Sequence, residues 1–231
     1  MVKENLAQVK ENIICAARKA GRDPSEVTLI AVTKTKPVSL ISEAYEAGIR
    51  EFGENKVQEI LEKQPQMPSD LHWHMIGHLQ RNKVKQVIDK TVLIHSVDSL
   101  RLAETIEEEA ARKGLVIPVL LEVNAAGEET KFGLAVQEVL PLVRQISGFS
   151  HLKVQGLMTI APFVDDPEKN RPIFRELKKL SVDITEKNIN NITMNVLSMG
   201  MTNDYMTAIE EGATMVRVGT GIFGERIYDN Q

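Results

Sequence analysis

VTLIAVT, residues 27–33, is short, β-branched and apolar on both faces, the pattern of a strand buried in a parallel sheet. Upstream of it, Leu6, Val9, Ile13, Ala16, Ala17 and Ala20 recur at helical spacing and Gly21 follows as a stop, so a first helix precedes the strand. Cys15 is expected on the apolar side of that helix. Downstream the chain alternates. Helical patterns at 38–47, 55–64, 80–89, 98–113, 135–147, 170–187 and 203–211 separate strand patterns. A short strand leads to Phe52 and Gly53, and further strands lie around 72–76, at 91–97 (TVLIHSV), 116–124 (VIPVLLEVN), 152–160 (LKVQGLMTI), weakly at 195–198, and at 214–220 (TMVRVGT). Repeated βα units imply a parallel α/β sheet, and eight of them imply closure into a single (β/α)8 TIM barrel with an extra N-terminal helix. An open doubly wound sheet is the alternative, but it usually carries a Gly-rich first turn, and the first strand here runs into TKTKP.

The 231 residues suit one such barrel, for which roughly 250 is usual, and no linker-like or repeated segment breaks the pattern. The expectation is one barrel domain over 1–231. Hydrophobic residues make up 42% of the chain and charged residues 26%, enough for a large core. A formal net charge of −4 argues against a nucleic-acid binder that works by neutralising phosphates. The N-terminal stretch lacks the apolar centre of a signal peptide, no apolar run is long enough for a membrane, and the single cysteine fits a reducing, cytoplasmic setting.

In a parallel barrel the working residues sit where strands end. Lys34 continues the side-chain face of Thr28, Ile30 and Val32. At an apolar barrel mouth an amine either snorkels to solvent or, partly desolvated, is freed for Schiff-base formation. Lys36 competes with it, but precedes Pro37 and is expected to point outward. The segment MVRVGTGIFG, with Gly219, Thr220 and Gly221, reads as a phosphate site built from backbone N–H groups. LSMGMTND, just before it, adds Ser198, Gly200 and Thr202. His72 and His74 in HWHMIGH share a strand face, with His78 nearby, as in barrel metallohydrolases. The remaining His95 and His151 do not complete such a ligand set, so packed histidines and no metal are expected.

Taken together, AVTKTKP at 31–37, FGEN at 52–55, HMIGHLQRNK at 74–83, GLMTI at 156–160, SMGMTND at 198–204 and VRVGTGIFG at 216–224 resemble the pyridoxal phosphate homeostasis protein family, almost end to end and in the same order. That family's fold resembles the N-terminal barrel domain of alanine racemase without the enzyme's second domain. The resemblance implies a cofactor, pyridoxal 5′-phosphate (PLP), held as a Schiff base on Lys34. It implies that Asn55 and His78 line the ring pocket with Met158 near it. It further implies that Ser198, Met201, Thr202, Gly219 and Thr220 surround the phosphate, that Arg217 faces the pyridine nitrogen, and that Lys131 is a secondary contact. Thr33 and Thr202 stand where the family often has Ser, and both keep the hydroxyl.

The chemistry agrees with a binding protein more than an enzyme. An arginine that stays protonated cannot serve a protonated pyridine nitrogen, so the ring would be a poor electron sink. The expected role is PLP homeostasis in the cytoplasm by a monomer, without significant amino-acid turnover, with apo-forms of PLP enzymes as partners. A weak amino-acid racemase and, further off, a metal-dependent barrel hydrolase are the alternatives.

Overall fold

Eight strands of four to ten residues form the computed structural model's centre, which describes residues 1–128 and 132–225. They are β1 Thr28–Val32, β2 Glu51–Glu54, β3 His72–Met75, β4 Leu93–Val97, β5 Ile117–Glu122, β6 Leu152–Met158, β7 Ile192–Met201 and β8 Met215–Val218. All pair in parallel with their sequence neighbours, and β8 pairs with β1, closing the barrel. The helices are α1 Val2–Lys19, α2 Val38–Glu46, α3 Val57–Lys63, α4 Val84–Val87, α5 Leu100–Lys113, α6 Val136–Ile146, α7 Arg171–Thr185, α8 Tyr205–Glu210 and α9 Thr220–Phe223. None of these is long and apolar enough to cross a membrane.

The two faces of the strands differ. Outward residues such as Phe52, Trp73, Ile94, Leu121, Leu157 and Val216 join the main core with the helices, and the Phe52 and Trp73 rings lie 6.0 Å apart. Inward, Leu93, Leu120 and Met158 form a small separate apolar cluster. The rest of the interior is unusually polar: His74, His95, Ser198 and Arg217 are each at most 3% exposed. Barrel interiors are ordinarily filled by bulky branched side chains, so this layer calls for a reason.

Helix α1 buries Val2, Leu6, Val9, Ile13, Ala16 and Ala17 and lies across α2, α8 and α9. Asn5 donates to the Ile222 carbonyl at 2.9 Å and Asn12 to the Tyr205 hydroxyl at 2.9 Å, so α1 ties down the end of the chain that closes the barrel. Cys15 is exposed and off the buried stripe, contrary to the sequence expectation. At 3.6 residues per turn each residue is rotated by about 100° from its neighbour, which turns Cys15 off the stripe that carries Ala16.

Two elements differ from their sequence patterns. The weak strand at 195–198 is the longest of the eight, ten residues, because β6 and β8 pair with it on both sides and override the poor strand preference of Asn195, Ser198 and Gly200. The helix expected over 80–89 is a 3-10 turn at Arg81–Lys83 followed by the single turn α4.

Candidate functional site

The strands' C-terminal ends surround a cavity of about 440 Å³. Among the described residues it is lined by Val32, Lys34 and Asn55 on one side, by Met201, Thr202 and Arg217 on another, and by Gly219 and Thr220 at the last turn. The loop after β6 adds an apolar wall, Ile160, Pro162, Phe163 and Val164, with Phe163 80% exposed at the opening. The cavity is thus concave, largely apolar and supplied with a few convergent polar groups, the usual character of a small-molecule site.

Lys34 is set by a buried ion cluster beneath it. Thr33 Oγ1 donates to Glu54 at 2.6 Å. Lys63 Nζ donates to Glu54 at 2.7 Å, to the Thr33 carbonyl at 2.8 Å and to Glu59 at 2.6 Å. Glu59 also accepts the Thr35 backbone N–H at 2.8 Å. Thr35 is held at φ 63°, a left-handed conformation that costs a non-glycine residue energy and persists only when its surroundings fix it. The residues on both sides of Lys34 are therefore pinned by one charged cluster. Burial pushes the Glu54 carboxyl up from its ordinary value, against the pull of Lys63 and Thr33.

Lys36 is spent elsewhere. Its ammonium donates to the carbonyls of Phe223, Gly224 and Glu225 at 3.3, 3.0 and 3.1 Å, closing the end of α9. Asn55 is brought to the cavity by a close backbone approach: a Cβ at Gly77 would lie 2.4 Å from the Asn55 carbonyl oxygen, so only glycine fits.

Opposite Lys34, the turns after β7 and β8 meet. Asp204 Oδ1 accepts the Met201 N–H at 2.7 Å and Oδ2 accepts Asn170 Nδ2 at 2.8 Å, fixing the first turn. Gly200 has φ 89°, and a Cβ there would lie 2.6 Å from the Ala208 Cβ. Three donors, the Gly219 and Gly221 N–H groups and the Thr220 hydroxyl, converge on Thr202 Oγ1 at 3.4, 3.3 and 3.2 Å. These long bonds leave donors that an anion's oxygens could take over.

Arg217 reaches the cavity from inside the barrel. Its Nη1 donates to Ser198 Oγ at 2.6 Å and its Nη2 to the Thr159 carbonyl at 2.8 Å. Burial lowers its pKa to about 10, with Glu122 and Asp204 acting in the other direction, so it is a cation at neutral pH.

Of the residues singled out in the sequence, the structure brings Lys34, Asn55, Met201, Thr202, Arg217, Gly219 and Thr220 to the cavity. Ser198 is fully buried one layer below, between His95 and Arg217. Met158 packs in the interior apolar cluster with Leu93 and Leu120. His78 does not line the cavity; its Nδ1 lies 3.2 Å from Asp98 and its ring stacks on Phe132 at 4.0 Å. Strand polarity tells which end of the barrel a residue is nearer, but depth along the barrel axis depends on stagger between strands. Lys131 lies outside the described residues. Tyr205 is turned away from the cavity, with its hydroxyl taken by Asn12.

Among the described residues, no group of three or more His, Cys, Asp or Glu is arranged to hold a metal ion. His72 and His74 instead share Glu51, at 2.6 and 2.7 Å. The sequence reading missed the cavity's outer wall, whose signal was the apolar run in the loop at 160–164. It also missed the role of Asp204, which only the turn geometry exposes.

The family model for the alanine racemase N-terminal domain matches residues 5–227. A pyridoxal phosphate homeostasis protein of Aquifex aeolicus is 44% identical over 226 residues, 97% of this chain and 98% of the relative. A solved structure of an unknown protein from Bifidobacterium adolescentis superposes with a TM-score of 0.92 at 36% identity, covering 96% of this chain and 94% of that one. PipY of Synechococcus elongatus, solved with PLP bound, superposes with a TM-score of 0.83 at 34% identity, covering 97% of this chain and all of PipY. The chain belongs to the alanine racemase N-terminal domain family and, within it, to the pyridoxal phosphate homeostasis proteins.

Proposed function

We propose that this chain binds PLP in the cavity and serves the cell's PLP homeostasis as a carrier or buffer, without significant amino-acid turnover. The observation that carries the reading is the cavity itself, where an amine, a buried guanidinium and a set of convergent N–H and O–H donors face one another. The residues fit the group. Lys34 would supply the amine for a Schiff base with the aldehyde, the Gly219–Gly221 turn and Thr202 would hold the phosphate, Arg217 would donate to the ring nitrogen, and Asn55 would flank the ring. When bound, the cofactor supplies an electrophilic carbon and an electron-withdrawing ring.

The chain's own residues hold that ring in its weaker state. A guanidinium can only donate, so the ring nitrogen opposite Arg217 stays unprotonated. The ionisable groups on the described cavity wall are Lys34, Asp204 and Arg217, and Asp204 is committed to Met201 and Asn170. The chain acts as a monomer in the cytoplasm, where its exposed Cys15 stays reduced, and apo-forms of PLP enzymes are the recipients of its cofactor.

The test is spectroscopic. Protein loaded with PLP should show a visible absorption band that borohydride bleaches. Lys34→Ala should abolish the band and Lys36→Ala should retain it. A band that survives in Lys34→Ala and disappears in Lys36→Ala would reassign the amine.

A further inference from the structure

The polar layer inside the barrel is one connected chain. His72 Nδ1, half exposed at the N-terminal end of the strands, is 2.6 Å from Glu51 Oε1. Glu51 Oε2 is 2.7 Å from His74 Nε2. His74 Nδ1 is 2.9 Å from His95 Nε2, and His95 Nδ1 is 2.9 Å from Ser198 Oγ. Ser198 Oγ accepts from Arg217 Nη1 at 2.6 Å, and Arg217 lines the cavity. The contacts therefore run from solvent at one end of the barrel to the cavity at the other, through side chains at most 3% exposed from His74 to Arg217.

We propose that Glu51, His74, His95 and Ser198 are positioning residues for Arg217, forming a relay of fixed polarity that presents an acceptor to its guanidinium and aims its remaining N–H groups at the ligand's ring nitrogen. The part concerning the ring rests on the PLP reading above; the polarity does not.

The direction follows from what each group can do. Arg217 has donors only, so Ser198 Oγ accepts from it. The Ser198 hydroxyl hydrogen then needs an acceptor, and the one its hydrogen bonds among the described residues provide is His95 Nδ1. That leaves the His95 proton on Nε2, donated to His74 Nδ1, and the His74 proton on Nε2, donated to the Glu51 carboxylate. Every hydrogen is used and both imidazoles are neutral. The opposite direction needs an imidazolium at His74 and leaves the Ser198 hydrogen without an acceptor, in a barrel that already buries one cation. Burial holds His95 well below the usual histidine value, with the Arg217 charge acting the same way, which agrees with a neutral ring. In the dry interior the aligned bonds polarise one another, so the negative end of the relay faces Arg217. Glu51, kept below the ordinary carboxylate range by His74 and His72 despite its burial, anchors the far end.

The experiment has two arms on the full chain. Ring ¹⁵N spectra of histidine-labelled protein, recorded without added PLP, should show His74 and His95 both protonated at Nε2 and bare at Nδ1. In Glu51→Gln, whose amide oxygen still accepts from His74, both tautomers should persist, because Arg217 sets the direction from the other end. A proton on His95 Nδ1 in the unaltered protein, an imidazolium at His74, or a His95 tautomer that reverses in Glu51→Gln would overturn the relay. The second arm compares PLP with its 1-deaza analogue, which lacks the ring nitrogen. Ser198→Ala should weaken PLP binding by about tenfold, as loss of an ordered charge-assisted bond does, and leave the analogue's binding unchanged. Equal losses for both ligands would make Ser198 merely structural. Failure of the unaltered protein to bind PLP would sink the cofactor reading while leaving the tautomer result standing.

Discussion

Lys63 Nζ lies 2.7 Å from Glu54 Oε1, and this ion pair, with side chains 8% and 0% exposed, sits directly under the strand end that carries Lys34. Removing one partner of a buried pair strands the other charge and typically costs about 3–5 kcal/mol, whereas removing both is far milder. Lys63→Met should therefore destabilise the chain by that order, and Lys63→Met combined with Glu54→Gln should recover most of the loss. Denaturant midpoints of the two variants decide it. If the double variant is no more stable than Lys63→Met, the pair's charge is not what holds the turn at Thr33–Thr35 together.

Glu122, at the end of β5, is 6% exposed, and its Oε2 has no hydrogen-bond partner among the described residues. Burial first, then repulsion by Asp98, raises its pKa from 4.5 to about 7, with Arg217 opposing. The sign is worked from proton binding. Between pH 4.5 and 7 the folded chain keeps this proton and the unfolded chain has released it, so stability falls as pH rises through that window. The full loss above pH 7 is about 3 kcal/mol for a shift of this size. Glu122→Gln should flatten this part of the profile and gain stability at pH 8. Thermal melts across pH 4.5–8 measure it, and an unaltered profile in the variant would count against a buried acid at this position.

Gly219 opens the turn whose N–H groups face Thr202, and a Cβ there would touch Val32 at 3.4 Å. Gly219→Val crowds the seat proposed for the phosphate. Retention of PLP should fall by about ten- to a hundredfold, the worth of one or two charge-assisted bonds, while pyridoxal without phosphate is held nearly as before. Equilibrium dialysis with both ligands makes the comparison. Equal losses would place the phosphate elsewhere.

Loaded protein should exchange the α-protons of alanine, serine and other amino acids in heavy water no faster than the free cofactor. On the proposed reading Arg217 would keep the ring nitrogen unprotonated, and among the described residues Tyr205 is tied to Asn12 and Tyr45 to Asp70, so neither supplies the general acid–base help worth roughly 10²–10⁴-fold. Many turnovers per protein that vanish in Lys34→Ala would make the chain an enzyme.

The barrel was legible in the chain because its signals are local. Each βα unit carries its own strand and helical stripe, several of them with a glycine stop, and eight in a row leave closure as the simplest way to satisfy every strand edge. The expected strands, from VTLIAVT to TMVRVGT, all occur, and the one that looked weak is rescued by two neighbours. Strand polarity likewise brought Lys34, Asn55, Arg217 and the Gly219–Thr220 turn to the same end.

Depth and partnership were decided only by the tertiary structure. His74, His95 and Ser198 lie 21 and 103 residues apart along the chain, and nothing in HWHM or LIHSV says that their rings meet on the barrel axis. That meeting is set by the stagger of neighbouring strands, which fixes how far inside the barrel each inward side chain falls. The same stagger puts Ser198 beneath Arg217 instead of in the cavity, and Met158 among Leu93 and Leu120. Periodicity gives a residue its face; the layer it occupies, and hence which polar groups become partners once water is excluded, is a property of eight strands at once.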